Sequence, residues 1–133
     1  MYKNPALTVD GIVETSRGIV LIRRKNPPYQ GCWALPGGFV DYGEKVEHAL
    51  YREMLEEISV KVEIKKLLGV YSEPGRDPRG HTVSLVYVCD YNGDTAQVKA
   101  ADDALEVLIT QNPLEHELAF DHREIIIQYL DNK

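Results

Sequence analysis

Residues 38–60 read GFVDYGEKVEHALYREMLEEISV, and the change of hydrophobic period inside this stretch decides the fold. From about Lys45 to Ile58, Val46, Ala49, Leu50, Met54, Leu55 and Ile58 recur at helical spacing. Good helix formers surround them, and no Gly or Pro interrupts the run. The spacing predicts one amphipathic helix entered from a Leu35-Pro36-Gly37-Gly38 break. On it, Glu53, Glu56 and Glu57 stand at i, i+3 and i+4, so all three carboxylates leave from one face. Like charges at that spacing cost an isolated helix about 0.2–0.5 kcal/mol per pair. A helix tolerates such a cluster where the face is solvated or where a cation fills it. Hard divalent ions such as Mg²⁺ take carboxylate oxygens and recruit substrate phosphates. Arg52 stands at i, i+4 from Glu56 and can hold that carboxylate in one rotamer.

Outward from the helix the pattern turns β-like on both sides. Leu7–Val13 and Gly18–Lys25 are rich in Val, Ile and Leu around a polar Glu14–Arg17 turn, and predict a hairpin. Residues 26–31 form a Pro- and Gly-punctuated loop. Beyond the helix, Lys61–Ser72 and His81–Tyr91 predict two long strands flanking the polar loop Glu73–Gly80, and Ala104–Thr110 predicts a shorter one. Asp121 offers an N-cap for a last helix through about Leu130, with Ile125, Ile126, Ile127 and Leu130 as its buried side. Strands before, between and after two helices predict an α/β or α+β layered fold, with residues 1–133 as one domain.

Composition excludes several classes of partner. The 133 residues carry 21 acidic and 15 basic side chains, a net charge of −6, which is unsuited to gripping a nucleic acid polymer through its phosphates. A small anionic ligand is a different matter, because a bound metal can offset its charge. Cys32 and Cys89 are too few for a disulfide framework or zinc cluster and read as reduced, packed thiols. No apolar stretch follows a basic start, and no run is long enough to span a membrane. A cytoplasmic protein without membrane partners is expected.

The spacing from Gly38 is Gly-x5-Glu44-x7-Arg52-Glu53-Met54-x-Glu56-Glu57-x-Ser59-Val60. It resembles the Nudix box, Gly-x5-Glu-x7-Arg-Glu-U-x-Glu-Glu-x-Gly-U, where U is a bulky aliphatic residue. The resemblance implies a Nudix-type α/β/α sandwich, with a mixed sheet between helices, that hydrolyses a nucleoside diphosphate linked to another group. It also implies Mg²⁺, or Mn²⁺, held by Glu53, Glu56, Glu57 and the Gly38 carbonyl, with Glu44 and Arg52 supporting the site. Ser59 departs from the pattern, standing where the family carries a glycine. The family glycine's expected task is to end the helix in a left-handed conformation, which serine adopts at a cost of about 1 kcal/mol.

Outside the box, Trp33–Val40, Leu68–His81 and Leu118–His122 look like the ADP-ribose pyrophosphatase branch, whose members carry a proline where Pro74 stands. The resemblance implies hydrolysis of ADP-ribose to AMP and ribose 5-phosphate, and a homodimer. Arg76 and Arg79 can donate bidentate hydrogen bonds to phosphate. Trp33, Phe39, Tyr71 and Phe120 are the aromatic candidates for contacting substrate. The general base is either a box glutamate or one from a later loop, where Asp102-Asp103-Ala104-Leu105-Glu106 offers Glu106. His81 and His122 read as structural, or as supports for residues that touch the substrate or metal. Two other readings remain open at this point. One is a Nudix pyrophosphatase for a triphosphate, dinucleoside polyphosphate or NADH. The other is a module that only senses ADP-ribose, for which a degraded box and an attached DNA-binding domain are expected; here the box core is complete.

Overall fold

The structure is a computed structural model, describing residues 3–101 and 104–133. Asp102 and Asp103, from the acidic run before Glu106, lie outside the described residues. Seven strands form one mixed sheet: β1 Ala6–Thr15, β2 Gly18–Arg24, β3 Trp33–Ala34, β4 Gly37–Phe39, β5 Glu63–Tyr71, β6 Thr82–Asp90 and β7 Ala104–Thr110. Helix α1, Val46–Ile58, covers one face, and helix α2, His122–Asp131, the other. The layering is the expected α/β/α sandwich.

Strand alternation sorts the apolar side chains between the two faces. In β1, Val9 and Val13 pack on the α1 side, and Ile12 on the α2 side. In β2, Val20 and Ile22 join the first cluster, and Ile19 and Leu21 the second. Central β1 runs parallel to β6 from Ala6↔Thr82 to Glu14↔Asp90. Its other edge is shared. Thr8–Asp10 pair with Phe39–Gly37 of β4, whereas Glu14 and Thr15 pair with β2. Strands β1 and β2 therefore part beyond their hairpin, and a cleft opens between them.

Four expectations from the sequence need correction. The Leu35–Gly38 break contains strand β4, because glycine lets it approach β1. A Cβ on Gly37 would lie 2.1 Å from the Val9 carbonyl oxygen. The buried face of α2 is His122, Ile125, Ile126 and Tyr129, an i, i+3, i+4, i+7 stripe, while Ile127 and Leu130 face solvent. Counting only aliphatic residues shifted the face, since His and Tyr also bury their ring bodies. Asp121 stands at the N-cap position but makes no capping bond, its carboxylate being taken by Arg76. On α1 the face holds for Ala49, Leu50, Met54 and Ile58, but Leu55 is 52% exposed.

The end of α1 follows its expectation. Ser59 adopts φ 69°, ψ 13°, the left-handed conformation. Its hydroxyl donates to the Lys99 carbonyl at 2.9 Å, and the Lys99 amide donates to Ile58 O at 3.1 Å. Those bonds tie the helix terminus to the segment leading into β7.

Candidate active site

The cleft between the diverging strands has a volume of about 360 Å³. Its first wall is the box. Arg52 holds this wall together with one guanidinium. Its Nε and Nη2 donate to the two Glu44 carboxylate oxygens at 2.8 and 2.9 Å. Nη1 donates to Glu53 at 2.9 Å and Glu56 at 3.2 Å, and Nη2 reaches the Phe39 carbonyl at 3.0 Å. Hydrogen bonds from Arg52 hold the Glu44 carboxyl well below the usual carboxylate range. Glu53 behaves oppositely: burial pushes its pKa up, only partly countered by Arg52.

The glycines at the mouth of this wall are demanded by close approach. A Cβ on Gly38 would sit 2.4 Å from the Glu53 carboxyl carbon, so only glycine lets that carboxylate lie against the backbone. Buried Glu57 accepts the Gly37 amide at 2.7 Å, which fixes one of its oxygens. Glu56 stands at the exposed edge, with its side chain 44% accessible and held by Arg52. Among the described residues no group of three His, Cys, Asp or Glu side chains is gathered around one point as metal ligands. The donor set still suits a hard divalent ion, being carboxylate and carbonyl oxygens beside a cradle that a Cβ would fill.

The second wall carries the arginines and aromatic rings. Arg76 donates from Nε and Nη2 to both Asp121 oxygens at 2.9 and 2.8 Å, and from Nη1 to Thr82 Oγ1 at 2.9 Å. Arg79 grips buried Asp77 through Nε and Nη2. Burial alone would raise the Asp77 pKa, but the Arg79 side-chain and backbone bonds bring it below normal. The Arg79 guanidinium stands over Phe39 at 5.3 Å and Phe120 at 5.7 Å, and that of Arg24 over Phe120 at 4.9 Å. Phe120 itself is held at φ 53°, a left-handed conformation that aims its ring into this cluster.

Two polar groups form the floor. Asp10, buried on the central strand, accepts a short hydrogen bond from the Ser84 hydroxyl, and burial raises its pKa. His122 accepts the Leu35 amide on Nδ1 at 3.0 Å, and burial lowers its pKa.

Of the residues expected from the sequence, the cleft gathers Gly38, Phe39, Arg52, Glu53, Glu57, Arg76, Arg79 and Phe120. It does not gather Trp33, Tyr71 or Glu106, and Glu56 lies outside the lining at the exposed edge. Trp33 packs on the α2-side cluster, edge-on to His116. Tyr71 packs there too, its hydroxyl donating to Gln128 at 2.5 Å. Glu106 is paired with Arg23 at 2.7 Å, whereas the next residue, Arg24, lines the cleft. Adjacent strand residues point to opposite faces, so Glu106 shares the face of Arg23. Asp10 and Arg24 were missed. For Asp10 the available signal was a lone acid within the apolar Leu7–Val13 run.

Comparison with known proteins agrees with this geometry. The family model described as NUDIX domain matches residues 4–129. An ADP-ribose pyrophosphatase of Methanocaldococcus jannaschii is 50% identical over 98% of this chain and 76% of its own length. An ADPR responsive transcriptional repressor, NtrR, of Acinetobacter baylyi is 31% identical over 96% of this chain, which spans only 54% of that repressor. Among solved structures, the NUDIX domain of Shewanella oneidensis NrtR complexed with ADP ribose superposes with a TM-score of 0.87 at 29% identity. That match covers 98% of this chain and 90% of the other.

Proposed function

This chain belongs to the Nudix family, and from that premise we propose that it hydrolyses ADP-ribose to AMP and ribose 5-phosphate with a divalent metal, Mg²⁺ or Mn²⁺. Residues 1–133 act as one catalytic domain in this reading. One observation carries it: the box carboxylates Glu53 and Glu57 line the same cleft as the arginines and phenylalanines of the second wall. A diphosphate flanked by a base and a sugar has the chemistry both walls require. The 50% identity to the archaeal ADP-ribose pyrophosphatase supports the same substrate.

Glu53, Glu56, Glu57 and the Gly38 carbonyl are the groups that would hold the metal. When bound, the ion supplies charge neutralisation and Lewis acidity at the diphosphate. The chain's own residues do the rest. Arg52 orients the glutamates, and Gly37 N–H fixes one oxygen of Glu57. A box carboxylate accepts a proton from the attacking water as its oxygen bonds to phosphorus and the bridging P–O bond breaks. The leaving phosphate departs with the bridging oxygen. Arg79 stands over both Phe39 and Phe120 and keeps part of its side chain exposed, which places it to face phosphate or base.

The test is product release from ADP-ribose, ADP-glucose, NADH, Ap4A and dNTPs, with and without Mg²⁺ or Mn²⁺. Metal-dependent release of AMP from ADP-ribose is expected, and a clear preference for a triphosphate overturns the substrate. Glu57→Gln retains an acceptor for Gly37 N–H, so it should fold normally and lose turnover on the order of 100-fold or more. Near-normal turnover would remove Glu57 from the metal set. The likeness to the Acinetobacter repressor and to the ADP-ribose-bound NrtR domain keeps a sensing role as the second reading. Tight ADP-ribose binding by the wild type, without turnover in either metal, would favour it.

A further inference from the structure

His122 begins α2 yet is among the most buried polar residues, 4% exposed, on the cleft floor. The Leu35 amide donates to its Nδ1. A nitrogen that accepts cannot also carry hydrogen, so the ring is neutral with its one proton on Nε2. Protonating Nδ1 would set two donors against each other in a buried place, and burial already disfavours the charged ring. No hydrogen-bond partner for Nε2 is found among the described residues. Among those same residues no fully buried side-chain nitrogen or oxygen lacks one. Nε2 is therefore not fully buried, and His122 is one of the residues that line the cleft. Beside it, 5.5 Å between ring centroids, stands Phe120 in its strained left-handed backbone, its ring also approached by the Arg24 and Arg79 guanidiniums.

We propose that His122 is a substrate-binding residue: its Nε2–H donates to an acceptor on the adenosine half of the substrate, seated against Phe120. The proposal rests on the ADP-ribose reading and assigns one half of that molecule to this end of the cleft. An adenine ring has acceptor nitrogens in its plane and a π face to lay on an aromatic ring, which is the pairing that a fixed N–H donor beside Phe120 recognises. Ribose 5-phosphate, the other product, has no such face. The backbone bond to Leu35 gives the donor its direction before substrate arrives, so little rotamer freedom is lost on binding.

Two substitutions separate this role from a purely structural one. His122→Asn keeps an acceptor near the Nδ1 position for Leu35 and loses the cleft donor. His122→Gln keeps a donor near the Nε2 position and loses the acceptor for Leu35. Loss of one substrate hydrogen bond predicts that the Asn variant raises the KM for ADP-ribose by about tenfold at near-normal kcat and near-normal thermal midpoint. The Gln variant should keep its KM while its midpoint falls. The reverse pattern, a normal KM in Asn and a raised one in Gln, overturns the proposal. A binding readout needs no turnover and so stands apart from the substrate assignment. In the metal-free protein, the ¹⁵N resonance of His122 Nε2 should shift on titration with AMP and stay fixed with ribose 5-phosphate. A shift with ribose 5-phosphate alone, or with neither, also overturns it. If the wild type ignores ADP-ribose in the assay but AMP moves the resonance, the substrate reading fails and the site does not.

Discussion

The two walls of the cleft solve one problem with opposite signs. On the box wall a single cation, Arg52, hydrogen-bonds the carboxylates of Glu44, Glu53 and Glu56 and pairs more loosely with Asp41 at 3.7 Å. On the facing wall two carboxylates, Asp121 and Asp77, hold two arginines, Arg76 and Arg79. Each wall thus gathers like charges that would otherwise repel, the first around one shared cation and the second by pairing each arginine with its own carboxylate. The difference lies in what is left free. Arg52 has every nitrogen committed, so the box wall is a fixed frame whose carboxylates alone can change partner. Arg76 is equally committed, but Arg79 keeps 45% of its side chain exposed against two aromatic rings. The comparison assigns chemistry to the first wall and substrate binding to the second.

Arg52→Lys tests the first assignment and should have the largest effect. A lysine is a point charge and cannot reach the Glu44 pair, Glu53, Glu56 and Phe39 O together. Loss of such orienting contacts lowers turnover by about 10–100-fold, and kcat should carry the loss. An effect confined to KM would break the division between the walls.

Asp121→Ala is the counterpart on the second wall. It strands an Arg76 side chain that is 5% exposed, with Thr82 as its remaining side-chain partner. Removing one partner of a buried pair costs about 3 kcal/mol or more, measurable as a lower midpoint in urea. Folded variant should show a raised KM with kcat within about threefold of wild type. A kcat loss as large as that of Arg52→Lys would make the two walls one catalytic unit.

How much of each wall was legible in the sequence follows from the same comparison. The box lies within residues 38–60 of one loop and helix, so spacing alone places its glutamates on one face. The second wall is assembled from Arg24, Arg76–Arg79 and Phe120–His122, brought together only by strand pairing and the start of α2. No period links those segments. Arg76, Arg79 and Phe120 were reached through a family resemblance, and Asp121 was not reached as the partner of Arg76. Trp33 and Tyr71 carry the right chemistry on the wrong side, because an aromatic residue gives no sign of which sheet face it will pack on. Glu106 failed for a related reason: in a strand, one residue of offset moves a side chain to the other face.

Asp10 sits at the seam between the walls and tests whether they are electrostatically joined. Burial raises its pKa above the unfolded value, and it also feels His122 and Arg76. A carboxyl raised on folding contributes fully below its unfolded pKa, about 3.9, and stability falls as pH rises through the folded value. Asp10→Asn retains an acceptor for Ser84 and removes that fall. The variant should gain on wild type from about pH 4 upward in urea midpoints taken across pH. A constant difference at every pH would mean that Asp10 is not held in its raised state by the fold.

The smallest effect belongs to the box wall's one departure from its family pattern. Ser59 takes the left-handed conformation that glycine adopts freely, at a cost of about 1 kcal/mol. Its hydroxyl recovers part of this by donating to Lys99 O, an exposed bond worth a few tenths. Ser59→Gly removes strain and bond together, so the net gain should be about 0.5 kcal/mol, or roughly 2 °C in thermal midpoint. Turnover should not change, because Ser59 touches neither the carboxylates nor the cleft. If turnover rose with stability, the helix terminus would be mechanically coupled to the glutamates, and the box wall would be less fixed than the five donor bonds of Arg52 make it.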